Sequence, residues 1–156
     1  MGIEAIVLKQ YRDKVNQAVI RFDGYAMPRS EGWLKTVRKA LGMSGAQLAK
    51  RLGVTKGRVS QAESGELSGG VTLRSMQSMA EAMDCRFVYA IVPRKDIESM
   101  INDQAVIKAK ARVKAASTHM ALEAQSLDKH ALDSEIERIA SEIMSKMPSD
   151  FWSENE

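Results

Sequence analysis

Apolar residues recur at intervals of three and four along most of the chain. Leu8, Tyr11, Val15, Ala18 and Phe22 form one such stripe, which predicts a helix of about five turns over 4–22. Asp23-Gly24 and Pro28 then interrupt it. Trp33, Leu34, Val37 and Leu41 predict a second helix over 32–41 with all four inward, closed by Gly42. Ser44 is suited to cap a short helix through Leu52, with Gly53 as its stop. Thr55 opens another that reaches Ser64, ahead of a glycine-rich loop over 65–70. Thr72 caps a fifth helix, in which Leu73, Met76, Met79, Ala80 and Met83 repeat on one side. Flexible thioethers fill gaps between helices, so this methionine stripe reads as core rather than as a binding surface.

The period changes at Phe87-Val88-Tyr89-Ala90-Ile91-Val92, an unbroken β-favouring run stopped by Pro93. It is the one convincing strand of the sequence. A lone strand leaves its backbone N–H and C=O groups without a ladder, so the economical partner is the same segment of a second copy. A homodimer is the expectation. The competing partner is Ala5-Ile6-Val7-Leu8, which could also be extended. Beyond Pro93 the helical period returns, with Ile97, Ile101, Ala105 and Ala109, then Leu132, Ile136, Ile139, Ile143 and Met147. Pro148 ends it, and Phe151-Trp152 follow.

Composition adds limits. Hydrophobic residues make up 44% and charged residues 28% of 156 residues, while aromatics are 5% and methionine numbers 10, a mixture suited to helices. No apolar run approaches the 18 residues of a membrane span, and the first residues lack the basic start of a secretory signal. Cys85 is the lone cysteine, which fits a reducing, cytoplasmic setting and reads as a small core residue. His119 and His130 stand eleven apart without a carboxylate at ligand spacing, so no metal or other cofactor is expected. Ser68-Gly69-Gly70 lacks the lysine of a phosphate loop, and no nucleophile elbow is present, so an enzyme is not expected. The net charge of +3 conceals an asymmetry: residues 29–95 carry 12 Lys/Arg against 5 Asp/Glu, and residues 96–156 carry 7 against 12. Chance fluctuation can produce such blocks. They also fit a basic module facing nucleic acid, followed by an acidic segment with another task.

The chemistry concentrates in SGAQLAKRLGVTKGRVSQAESG, residues 44–65, which has helix-turn-helix spacing. Ala49 is small where two helices would cross, Gly53 suits a left-handed turn, and Leu48, Leu52, Val54 and Val59 would fill the wedge. On the second helix Lys56, Gly57, Ser60, Gln61 and Ser64 share one broad polar face opposite Val59 and Ala62. Such a face can offer an amide and an ammonium to base edges in a major groove. An ordinary helical hairpin with a polar outer side is the plainer alternative. The stretch from Trp33 to Gly65 resembles the lambda-repressor-like, Xre-type DNA-binding domain. That resemblance implies base contacts from Lys56, Gly57, Ser60 and Gln61, with Arg58 as a further candidate. It also implies a structural ion pair between Arg38 and Glu63. Ser44, Gln47, Lys50, Arg51, Arg58 and Arg74 are the candidates for phosphate contacts. One departure stands out, because Gly45 occupies the position where the family often carries a phosphate-contacting glutamine.

A broader resemblance covers most of the chain. Pro28, GWLKTVRKALGMS (32–44), VTL (71–73), AEAMDC (80–85), FVYAIVP (87–93), HMALE (119–123) and the terminal Met147-Pro148 and Phe151-Trp152 resemble the bacterial family called mobile mystery protein A. Its members are typically encoded beside a Fic-domain protein, which implies an autorepressor with a Fic-domain partner and an antitoxin-like role. Fic inhibitory helices carry Ser or Thr, three residues, then Glu followed by Gly or Asn. Glu31-Gly32 has Met27 at the required place and Glu154-Asn155 has Asp150, with Ser149 one residue too early. Inhibition would therefore have to come from another contact, most naturally the acidic segment. The expected fold is mainly α: a lambda-repressor-like five-helix DNA-binding core over 29–95, with one short β-strand pairing across a dimer. An N-terminal helical extension over 1–28 and an acidic helical extension over 96–156 flank it. The expected function is a dimeric, sequence-specific repressor on a double-stranded operator with two-fold symmetry. The alternative is an antitoxin that neutralises a Fic-domain partner through its helical extension.

Overall fold

The caps read from the sequence delimit the central helices. A computed structural model describes residues 2–25, 30–120 and 129–154, without the side chains of 117–120. Pro28, Met27 and the HMALE segment's side chains lie outside the described residues. Seven helices are found there: α1 (Ile3–Phe22), α2 (Gly32–Ala40), α3 (Gly45–Leu52), α4 (Lys56–Ser68), α5 (Leu73–Ala82), α6 (Ile97–Met120) and α7 (Lys129–Lys146). They divide between two compact units, one of Phe22–Ala90 and one of Met1–Arg21 with Ile91–Glu156.

The unit Phe22–Ala90 contains four helices, α2 to α5, rather than the five expected over 29–95, because the chain after α5 runs irregularly and forms no further helix before Ile97. Three of the four start on a hydroxyl cap. Ser44 Oγ accepts from Gln47 N, Thr55 Oγ1 from Arg58 N and Thr72 Oγ1 from Ser75 N, at 3.1–3.2 Å. Each satisfies an N–H that the first helical turn leaves without a partner. Gly53 closes α3 in the left-handed region at φ 68°, where a Cβ would be strained, and Val54 N donates back to Ala49 O. Leu34, Leu48, Ala49, Val59, Ala62, Met76, Met79 and Met83 form the buried core, so the methionine stripe is core. Cys85 and Phe87 pack at its edge.

Several apolar positions expected inside are exposed. Trp33 is 43% exposed because Leu34 and Val37 carry the inward side of α2, leaving its neighbour about 100° away around the helix. Leu41 caps the end of α2 instead of continuing it, and is exposed along with Val54 and Leu73. The fourth helix also runs further than expected. Gly65 does not terminate it; a Cβ there would lie 3.3 Å from Val71 N, so its missing side chain admits the returning chain. The left-handed stop falls at Gly69, with φ 79°.

One contact was invisible to local reading. The carboxylate of Glu66, on α4, accepts from Trp33 N at 2.7 Å and Leu34 N at 2.9 Å, capping α2 from 32 residues away. An anion there also complements the positive end of the helix. Gly32 has φ 73°, and a Cβ on it would meet Glu66 Oε2 at 2.7 Å. Gly32→Ala is therefore expected to cost about 1–2 kcal/mol through the left-handed backbone alone, with a further loss if the carboxylate is displaced. A thermal melt of the variant checks this; an unchanged midpoint would show that α2 can reseat freely.

In the other unit, Ile101, Ala105 and Ala109 of α6 are buried with Ala140 and Ile143 of α7, and Phe151 closes the cluster. The small alanines let the two helices approach closely. Gln104 Nε2 donates to Phe151 O at 2.8 Å, which anchors the segment after Pro148. Asn16 of α1 accepts from Ile97 N at 3.0 Å and donates to Glu98 Oε2 at 2.8 Å, so it serves the start of α6 as a remote cap. α1 buries no residue fully. Leu8 and Tyr11 of its expected stripe are exposed, whereas Val15, Ala18 and Phe22 are half-buried.

The expected strand is not found. No strand is assigned among the described residues, and 87–92 is irregular with Val88, Tyr89, Ile91 and Val92 exposed. The physical reason is that a single chain presents no ladder to this segment. Its competing partner is excluded, because Ala5 to Leu8 lie within α1. The Phe87 and Tyr89 rings stack with their centroids 5.7 Å apart.

Candidate nucleic-acid interface

Helix α4 is held from its inner side. Val59, Ala62 and Glu63 are its buried residues, and Glu66 reaches back to α2. Around a helix advancing about 100° per residue, these four occupy one half of the circumference. Lys56, Gly57, Ser60, Gln61, Ser64 and Ser68 occupy the other and are all exposed.

The inner side is fixed by charge as well as by packing. Arg38 Nε donates to Glu63 Oε1 at 2.6 Å and Nη2 to Glu63 Oε2 at 3.1 Å, a two-pronged pair. The remaining prong, Nη1, donates to Met43 O at 3.0 Å. The hydrogen bonds it donates to Glu63 hold the Arg38 guanidinium even above its ordinary basicity, against the opposing effect of burial. α2, the turn after it and α4 are thereby joined at one side chain, which sets the angle at which α4 is presented.

The outer side is left unoccupied by the protein itself. Among the described residues, Lys56 and Gln61 make no hydrogen bond or ion pair. Gly57 has open surroundings: a Cβ would meet only Thr55 Oγ1, at 3.8 Å. An open trough follows this side past Ser60 and Ser64 to Ser68. Ser68 lies beyond the predicted end of the helix; its four-residue spacing from Ser64 was the available signal, masked by reading Gly65 as a stop.

The candidate phosphate contacts lie on three elements, and of them Arg58 lines this trough. Lys50 and Arg51 lie in the last turn of α3, Arg58 in the first turn of α4 and Arg74 near the start of α5, all exposed. Ser44 and Gln47 are mutually engaged at the start of α3. Gln47 Oε1 accepts from Ser44 N at 2.7 Å while Ser44 Oγ accepts from Gln47 N, a reciprocal capping box. The amide oxygen of Gln47 is thus occupied and its Nε2 points away from that bond as a donor. Gly45 leaves space beside them; a Cβ there would lie 3.9 Å from Lys56 Cγ, so the lysine stem passes over α3 at this point.

Among the described residues no group of three or more His, Cys, Asp or Glu is placed to hold a metal, and no helix is long and apolar enough to cross a membrane. His119 has no described side chain.

Residues 34–89 match the family model described as helix-turn-helix, which covers α2 to α5 and the start of the irregular run. The match spans 56 of the 156 residues, and it marks this segment as a DNA-binding module of the kind found in transcription regulators. Comparison with curated proteins and with solved structures yields no match.

Proposed function

We propose that the protein is a sequence-specific, dimeric transcriptional repressor. The observation that carries this reading is the outer side of α4: a helix anchored by Arg38–Glu63 that presents Lys56 and Gln61 with no partner of their own, in a strongly basic segment. α4 enters a major groove, where Lys56, Gly57, Ser60 and Gln61 meet base edges. Ser44, Gln47, Lys50, Arg51, Arg58 and Arg74 hold the phosphates on either side, which fixes position without reading sequence. Two copies pair through 87–92, where the exposed apolar residues and unladdered backbone supply the motive. A dimer that places two α4 helices on one face of DNA reads a two-fold operator with half-sites about one turn, roughly 34 Å, apart. By its resemblance to the mobile mystery protein A family, the natural operator is the protein's own promoter. Footprinting the full chain there is expected to protect two symmetric half-sites at that spacing. Protection that follows no sequence, or a single asymmetric site, would overturn the reading.

A second role is favoured by the separate core of α6 and α7. These helices bury Ala105, Ala109 and Ile143 within their own unit, so they are not needed to fill the core around α4. A separate folded unit suits a separate partner, and the resemblance supplies a Fic-domain protein, with this chain as its antitoxin. Trp152, 60% exposed beside the buried Phe151, is the large apolar group that this unit offers near its end. Co-expression with a neighbouring Fic-domain protein tests the role. Co-purification that requires residues 96–156 supports it, and absence of any complex leaves the repressor alone.

A further inference from the structure

The sequence class of the operator half-site follows from where the two long side chains stand on α4, granted the DNA-binding reading above. Lys56 and Gln61 are five residues apart, which places them about 140° apart around the helix and about 7.5 Å apart along it. Ser64 falls between them in direction, and Val59 and Ala62, the buried residues, lie on the far side. The centre of the outer side is thus lined by Gly57, Ser60 and Ser64, while lysine and glutamine form its two edges. When the centre of a helix faces the floor of a groove, residues on its two edges lean toward opposite walls, and so toward opposite strands.

Chemistry then assigns the bases. A lysine ammonium is a pure donor, which matches the paired acceptors O6 and N7 of guanine. A glutamine amide carries both donor and acceptor, which matches N6 and N7 of adenine. Serine hydroxyls suit several bases, so Ser60 and Ser64 discriminate little. A separation of 7.5 Å corresponds to about two base-pair steps of 3.4 Å. We propose that each half-site presents a guanine to Lys56 and, on the opposite strand about two base pairs away, an adenine to Gln61.

Both side chains are exposed and without internal partners, so their replacement leaves the fold intact, which a thermal melt verifies. The test is selection of binding sites from a random double-stranded DNA pool by the full chain, repeated with Gln61→Ala, Gln61→Glu and Lys56→Ala. The wild-type pool is expected to converge on guanine and adenine on opposite strands at that spacing. Gln61→Ala should erase the preference at the adenine alone and weaken the best site roughly 5- to 150-fold. Gln61→Glu should move that position toward cytosine, whose N4 donates to a carboxylate. Lys56→Ala should erase the guanine. An adenine preference that survives Gln61→Ala, or a converged site lacking either base, overturns the assignment while sequence-specific binding stands. A pool that never converges although the protein still binds DNA overturns sequence specificity itself, and with it the assignment.

Discussion

Replacing Arg38 with alanine is expected to destabilise the α2–α5 unit by about 3–5 kcal/mol, the usual result of removing one partner of a buried ion pair. The side chains of Arg38 and Glu63 are only 13% and 11% exposed, so whichever partner remains is stranded away from water. Arg38→Ala leaves a buried carboxylate without its guanidinium. Glu63→Ala leaves a guanidinium with Met43 O as its described acceptor. The arginine cannot escape by losing its proton, because a guanidinium stays protonated in proteins whatever its neighbours. Linkage fixes the sign: a cation whose folded basicity exceeds its unfolded value contributes its stability throughout neutral and acidic pH, and loses it only in strong alkali. For a unit of 60–100 residues each kcal/mol moves the melting temperature by about 4–8 °C. The single variants should therefore melt on the order of 12 °C or more below the wild type at pH 7.

A paired replacement separates charge stranding from loss of shape. Arg38→Met with Glu63→Leu removes both charges and refills the space with apolar atoms, a change that is often neutral or stabilising in other proteins. The double variant is expected to recover most of the loss, giving a coupling energy of several kcal/mol in a double-mutant cycle. Single variants that melt within a degree of wild type would show that water reaches the pair and that it contributes nothing.

Local chemistry made much of this unit readable before its structure. Ser44, Gly53, Thr55 and Thr72 each act within four residues of where they stand, so their capping roles need no knowledge of the fold. The α6–α7 core is readable for a similar reason, since alanines and isoleucines at steady spacing admit one inward side. What escaped depends on distance or on phase. Glu66 falls in a stretch that reads locally as a glycine-rich loop; only the continuation of α4 and the approach of α2 turn it into a cap. Trp33 was misplaced because nine residues of α2 define its inward direction too loosely to separate neighbours. Gly65 was mistaken for a stop because a glycine needed for close approach looks the same in sequence as one needed for a left-handed turn. The outer side of α4 was legible as a set of residue types at helical spacing. Its freedom from internal partners, and its continuation to Ser68, required the three-dimensional arrangement.

The run at 87–92 failed as a strand for a different reason, and it yields the second large effect. Strand-forming residues express their preference only when a neighbour accepts their backbone hydrogen bonds. Here Val88 and Ile91 are 55% and 91% exposed, a poor resting state for apolar side chains beside a folded core. If a second copy supplies the missing ladder, lysines at both positions should prevent it, since charges on an exposed edge block pairing. Val88→Lys with Ile91→Lys is expected to convert the proposed dimer into a monomer by sedimentation. Affinity for a two-fold operator should fall by about 10²–10⁴, because the second half-site loses the effective concentration that linkage provides. Affinity for an isolated half-site should hardly change, since neither residue lies on α4. That contrast distinguishes loss of pairing from damage to the reading helix. A wild-type chain that sediments as a monomer at every concentration, or a variant that binds the full operator as tightly as before, would remove 87–92 from the interface and require the two copies to meet elsewhere.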